Sequence, residues 1–91
     1  MTPEQLLTIL KIDLQISSAA LDSYLSALLD EAQTLIQREG LTIGEEDSML
    51  IEWYAAFLYR HRRDNEAKMP RYLRYALNNA ILAQKAGGAN G

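Results

Sequence analysis

Few side chains in this 91-residue chain could take part in catalysis. There is no cysteine and a single histidine, His61, which lies among arginines at the end of a predicted helix. Neighbouring positive charge disfavours protonation of an imidazole, and one histidine without cysteine is a poor basis for a zinc site. We therefore interpret His61 as a surface or packing residue. The sequence predicts no catalytic residue, no metal and no cofactor, and we expect that the protein is not an enzyme.

Three consecutive acidic residues, Glu45, Glu46 and Asp47, could suggest a divalent cation site. Consecutive residues of a helix point in different directions, so their carboxylates do not converge on one ion. Negative charge in the first turn of a helix is favoured by the helix dipole. The run is better interpreted as the start of a helix.

Arginines supply the strongest candidate for a binding surface. The second half of the chain contains Arg60, Arg62, Arg63, Arg71 and Arg74. A guanidinium group pairs with carboxylates or phosphates through a planar fork and stacks on aromatic rings. On a helical projection the last two arginines share a stripe with Tyr75, Asn78, Leu82 and Lys85. A basic stripe that also carries tyrosine and leucine is typical of an interface.

Charge is distributed unevenly along the chain. Residues 1–59 carry ten acidic side chains against Lys11 and Arg38, a balance of −8, whereas residues 60–91 carry seven basic side chains against two acidic ones, a balance of +5. These sum to the net charge of −3. The basic part could pair with an acidic partner or with another copy of the chain. Alternatively, the two parts could neutralise each other within one molecule.

Amphipathic periodicity predicts an all-α fold. A capping box of Thr2 and Gln5 begins a short first helix over residues 3–12. Ser17 or Ser18 can cap a long second helix over residues 19–39, whose leucines recur every three or four residues. The glycine that follows this helix fits a left-handed C-cap.

Two further helices complete a small bundle of four. Thr42, with Glu45 three residues later, predicts a capping box for a third helix that extends to about residue 63. Pro70 begins a fourth helix, which we expect to run antiparallel to the third and to end near residue 85.

The remaining features predict a single helical domain over residues 1–86. The glycine-rich residues 87–91 have little to bury, so we expect a flexible, disordered tail.

The N-terminus lacks the basic region and cleavage site of a signal peptide, and no apolar run approaches the roughly 20 residues that span a bilayer. We therefore expect a soluble protein without a membrane partner.

Two motifs in the predicted third and fourth helices point to a family. They read LI-x-x-YAA-x-LYR-x-R over residues 50–62 and MPR-x-LR-x-x-LNN-x-I over residues 69–81. Together with the turn LKID at residues 10–13, this order resembles the head–tail connector (head-completion, or head–tail adaptor) proteins of long-tailed bacteriophages. The linker between the second and third helices is shorter here than in many such proteins.

The resemblance implies a structural role in the virion rather than a chemical one. Such subunits form a homo-oligomeric ring of about twelve copies through a heterologous interface, in which one surface meets a different surface of the neighbour. The ring docks on the portal protein, extends the DNA channel and provides a platform for a tail or stopper protein. Genomic DNA would pass only as cargo. The expected location is the head–tail junction of the virion, after assembly in the cytoplasm of a bacterial host.

Within such a ring, we expect basic residues of one subunit to meet acidic residues of its neighbour or of the portal. The candidate interface residues are Arg60, Arg63, Arg71, Arg74, Tyr75 and Asn78 on the basic side, and Asp30, Glu31, Glu45, Glu46 and Asp47 on the acidic side.

An alternative use of the same arginines is DNA binding by a small helical protein. The sequence pI of about 5.0 argues against it, because a DNA-binding domain is usually basic. The segment between the third and fourth helices, DNEAKM, is also longer than the three- or four-residue turn of a helix-turn-helix.

Overall fold

Four α-helices follow one another in the computed structural model, which describes residues 1–64 and 66–89. The helices are α1 (Pro3–Leu14), α2 (Asp22–Arg38), α3 (Ser48–Arg60) and α4 (Arg71–Ala89). One turn of 3-10 helix precedes α2 at Ala19–Leu21, and another precedes α3 at Glu45–Asp47. No strand occurs in these described residues, and the predicted all-α bundle of four helices is confirmed.

Side-chain caps begin α1 and the 3-10 turn before α2 at the residues that the sequence predicts. The backbone N–H of Thr2 donates to Gln5 Oε1 at 2.8 Å, and the N–H of Gln5 donates back to Thr2 Oγ1 at 3.1 Å. Ser18 Oγ accepts from the N–H of Ala20 at 3.0 Å and so begins the 3-10 turn. Gly40, just past α2, has a φ of +112°, a conformation that glycine adopts without steric cost.

The cap of the third helix differs from the prediction. The backbone N–H of Gly44 donates to Asp47 Oδ2 at 2.9 Å, so Gly44 and Asp47 occupy the positions that were predicted for Thr42 and Glu45. The backbone of Thr42 is used elsewhere, because both its N–H and its carbonyl bond the side chain of Gln84 in α4.

The end of α3 also lies earlier than predicted. The helix ends at Arg60 and is followed by a turn at residues 61–63. Arg62 folds back, donates from Nη1 to the carbonyl of Tyr59 at 2.6 Å, and places its guanidinium carbon 4.0 Å from the centre of that tyrosine ring. The last carbonyl groups of a helix have no backbone partner within it, and here the Arg62 side chain supplies the hydrogen bond that a further helical turn would otherwise provide.

A single core lies between the helices, and α3 is at its centre. α3 contacts α1, α2 and α4. The buried apolar residues are Leu6, Leu10, Leu25, Leu29, Ala32, Ile36, Leu41, Leu50, Ile51, Tyr54, Ala55, Ala56, Leu73 and Leu77. The three alanines have no exposed surface. Small side chains allow neighbouring helices to approach closely.

α4 runs back along α3, as the sequence predicts. Near its start the ring of Tyr72 meets that of Trp53 edge to face, with centroids 6.2 Å apart. Further along, the Gln84 amide bonds the backbone of Thr42 at 2.9 and 2.7 Å. Leu73 and Leu77 have no exposed surface and pack the first half of α4 against the core. From Leu82 to Gly87 every residue is exposed.

α4 ends at Ala89 rather than near residue 85. The predicted disordered tail over residues 87–91 lies partly outside the described residues and stays a prediction. Over the part of the chain that is described, no helix has both the length and the apolar content needed to cross a membrane.

One buried and one exposed leucine of α4 provide a test of this packing. We expect Leu77→Ala to lower the free energy of unfolding by about 2–5 kcal/mol, because it leaves a cavity in a filled core. Leu82→Ala, on a side chain that is 64% exposed, should change it by less than about 0.5 kcal/mol. Urea denaturation followed by circular dichroism measures both. Equal effects of the two substitutions would contradict the described orientation of α4.

Candidate functional site

Two of the predicted interface arginines are engaged within the molecule. Arg60 Nη2, at the end of α3, donates to Asp13 Oδ1 at 2.9 Å and to the Asp13 carbonyl at 3.3 Å, near the end of α1. Arg74 Nη1 lies 2.8 Å from Glu39 Oε2, just after α2. The predicted arginine cluster is therefore divided between two helix junctions. These pairs join the basic residues 60–91 to the acidic residues 1–59. Such pairs are what we expect if the two parts of the chain neutralise each other within one molecule.

The other arginines remain at the surface. Arg62 stacks on Tyr59 and is exposed. Arg63, in the turn after α3, and Arg71, at the start of α4, are exposed and form no ion pair with the described residues. Of the four arginines predicted at an interface, Arg63 and Arg71 are thus available to an external partner without breaking an ion pair.

An exposed stripe of α4 combines positive charge with apolar surface. We call it the α4 outer face; it consists of Arg71, Tyr75, Asn78, Leu82 and Lys85, all of which are exposed. Tyr75 is 60% exposed and Leu82 is 64% exposed. Large side chains left in water on one stripe of a helix, with cations at both ends, are typical of a surface that receives a partner.

A second exposed stripe, on α2, has the opposite charge. We call it the α2 outer face; it consists of Tyr24, Ala27, Asp30 and Glu31, all exposed. Tyr24 is 42% exposed and its ring lies 6.4 Å from that of Tyr59. The two predicted acidic residues of α2 therefore share an exposed stripe of the helix with an aromatic ring. The α2 outer face is complementary in charge to the α4 outer face.

The acidic residues before α3 take different positions from one another. Glu45 forms an ion pair with the N-terminal amine of Met1, and Glu46 is exposed. Asp47 is 8% exposed and accepts the Gly44 hydrogen bond, so its carboxylate serves the local turn and presents little surface to a partner. This divergence agrees with their interpretation as helix-start residues.

His61 and the acidic side chains form no site for a metal in the described part of the chain. His61 is exposed, with its ring 5.1 Å from the centre of Phe57, in agreement with its interpretation as a surface or packing residue. No group of three or more acidic or histidine side chains among the described residues comes close enough to hold an ion.

Sequence reasoning missed one buried acid, Glu52, in the middle of α3. It is 2% exposed, and its Oε2 has no hydrogen-bond partner among the described residues. Burial, and secondarily hydrogen bonding to Asp13 and the charge of that carboxylate, raise the pKa of Glu52 to about 8. The signal was present in the sequence: Glu52 is the only charged residue between Met49 and Tyr59.

The pKa of Asp13 is shifted in the opposite direction. Its hydrogen bond with Glu52, followed by that from Arg60 and the Arg60 charge, lowers the pKa of Asp13, and partial burial opposes this. Arg60 therefore pairs with Asp13, the carboxyl group of the two whose pKa is lowered.

Comparison with known proteins adds no relative: no protein-family model, no curated protein and no solved structure matches this chain. The resemblance to phage connectors therefore depends on the sequence motifs.

A double-mutant cycle on Arg74 and Glu39 tests whether Arg74 acts within the molecule. We expect Arg74→Met and Glu39→Gln to show a coupling free energy of about 0.2–1 kcal/mol, the range for partly exposed ion pairs. Urea denaturation of the two single variants and the double variant measures it. As a matched control, Arg71→Met combined with Glu39→Gln should be additive, and coupling as large as that of Arg74 would contradict the assigned pairing.

Proposed function

We propose that this protein is a head–tail connector subunit of a long-tailed bacteriophage, and that copies of it form a ring beneath the portal of the capsid. Its role is mechanical: the ring extends the DNA channel and provides the platform to which a tail or stopper protein attaches. The observation that carries the proposal is the α4 outer face, where Arg71, Tyr75 and Leu82 are exposed together.

The two outer faces favour a heterologous contact between copies. A face that carries Arg71 and Lys85 fits a face that carries Asp30 and Glu31, and each face also presents an aromatic ring. Two different complementary faces on one subunit produce a closed ring when the rotation between neighbours closes. The expected ring of about twelve copies comes from the connector resemblance.

The described contacts assign different roles to the candidate arginines. Arg71 lies on the α4 outer face, and Arg63 is exposed nearby in sequence, so both suit a neighbour or an acidic portal surface. Arg60 and Arg74 form ion pairs with Asp13 and Glu39 of the same subunit. Replacing either of these would disturb the subunit as well as an interface, which makes Arg71 the better residue for a test.

A charge exchange between the outer faces tests the proposal. Arg71→Glu should abolish ring formation on the portal protein encoded in the same genome, because it places like charges across the contact. Combining it with Glu31→Arg in the same chain should restore rings, since the opposite charges then face each other again. Negative-stain electron microscopy and native mass spectrometry of the co-expressed complex measure ring formation.

The control is Lys68→Glu, which makes the same charge change at an exposed lysine outside both faces and should leave rings intact. Circular dichroism should show the same helical content in all variants. If the unaltered protein forms no ring with or without the portal, the proposed function is wrong. If rings form equally well with Arg71→Glu, the proposed function is retained and the assigned interface is wrong.

Titration of duplex DNA separates this proposal from the alternative of a DNA-binding protein. A DNA-binding domain that uses the exposed arginines would show affinity that falls steeply with salt, by roughly one unit of log K per phosphate contacted for each unit of log salt. We expect no such binding by the isolated subunit. Fluorescence anisotropy with a labelled duplex provides the measurement.

A further inference from the structure

The second half of α4 has little apolar contact to hold it in place. Contact between α4 and the core continues as far as Ala80 and Ile81, which are partly buried. Residues 82–87 are all exposed. An exposed helix end opens easily, because few buried contacts oppose its fraying. Order in this half of α4 therefore depends on some other contact.

Gln84 supplies such a contact through its side-chain amide. The backbone N–H of Thr42 donates to Gln84 Oε1 at 2.9 Å, and Gln84 Nε2 donates to the Thr42 carbonyl at 2.7 Å. One amide thus satisfies both backbone groups of one residue, as a strand residue does for the residue opposite it in an antiparallel pair. We call these two hydrogen bonds the Gln84 clip.

The segment between α2 and α3 gives the clip a fixed point of attachment. Leu41 is 3% exposed and belongs to the core, and Ile43 packs partly buried against that core. Thr42, between them, is exposed. Its backbone is therefore anchored on both sides and still accessible to α4. Because the clip uses only the backbone of Thr42, it depends on the side chain at position 84 and not on the one at position 42.

Apolar packing does not replace the clip at this point of the fold. An open cleft of about 190 Å³ lies between α4 and the segment that leads into α3; it is lined by Leu41, Glu46, Asp47, Ala80, Ala83 and Gln84. The two alanines are too short to fill this space, so they bury little apolar area against the segment. Of the three α4 residues that line the cleft, Gln84 is the one that hydrogen-bonds its other side.

We propose that Gln84 is a positioning residue, whose clip to Thr42 holds the exposed half of α4 in place and so fixes Leu82 and Lys85 for contact with a neighbouring copy. Residues two positions apart on an α-helix point in nearly opposite directions, so Leu82 faces outward while Gln84 is held from the inside. The contact with a neighbour rests on the proposed function, whereas the clip is a property of the single subunit.

Hydrogen exchange measured by NMR tests the clip in the single subunit. Gln84→Met retains the length and the helix propensity of the side chain and removes both hydrogen bonds. It should accelerate amide exchange of residues 82–87 about five-fold, the factor that corresponds to two weak hydrogen bonds, and leave the amides of Leu73 and Leu77 unchanged. Equal rates in the two proteins would overturn the clip, and so would an equal acceleration along the whole of α4.

Two controls separate the clip from other effects of substitution. Gln37→Met makes the same change at an exposed glutamine of α2. Thr42→Ala removes the side chain at the point of attachment and retains both backbone groups. Residues 82–87 should exchange in both variants as they do in the unaltered protein. Faster exchange of these residues in Thr42→Ala would contradict the assigned hydrogen bonds.

Ring formation on the portal protein tests the positioning role. In Gln84→Met, the subunit concentration for half-maximal ring formation should rise by up to about five-fold, because only subunits with an ordered end of α4 are competent to bind. Thr42→Ala should assemble like the unaltered protein. If exchange accelerates and rings still form at the same concentration, the positioning role is wrong. If the unaltered protein forms no ring, the proposed function and the positioning role are both wrong, and the exchange rates alone decide the clip.

Discussion

The close packing of α3 against three other helices is the constraint on which the rest of this molecule depends. Ala55 and Ala56 on α3 and Ala32 on α2 have no exposed surface, and larger side chains at these points would separate the helices. With α3 in the centre, each of the other helices buries one stripe of leucine or isoleucine against it and keeps its opposite stripe in water. A chain of this size has room for one such core.

With α3 in the interior, several charged side chains lie at junctions between elements. The ion pairs among the described residues each join two different segments, as with Arg60 to Asp13 and Arg74 to Glu39. Partly exposed pairs of this kind contribute little free energy each, but they fix which helix ends meet. They also engage two arginines within the molecule, whereas the charged side chains of the α4 and α2 outer faces remain exposed, where another molecule can reach them.

The same central position explains the unusual state of Glu52. A carboxyl group on a helix that is covered from several sides is largely removed from water, and this burial, followed by the neighbouring Asp13 carboxyl, raises the pKa of Glu52 to about 8. Arg60 forms an ion pair with Asp13 at the same junction. The bundle therefore places its exposed, charged outer faces on α4 and α2 and its buried carboxyl group on α3.

The sequence by itself determined the helices, because periodicity, the Thr2 and Gln5 cap and the Gly40 turn act within a few residues of chain. It also placed Tyr75 and Leu82 on one stripe of the fourth helix. Only the tertiary structure decided which arginines are engaged and that Glu52 is buried, since both depend on residues far apart in sequence: Arg60 and Asp13 come together only when α1 packs on α3. Pair formation and burial are properties of the assembled bundle, and no local pattern of residue types encodes them.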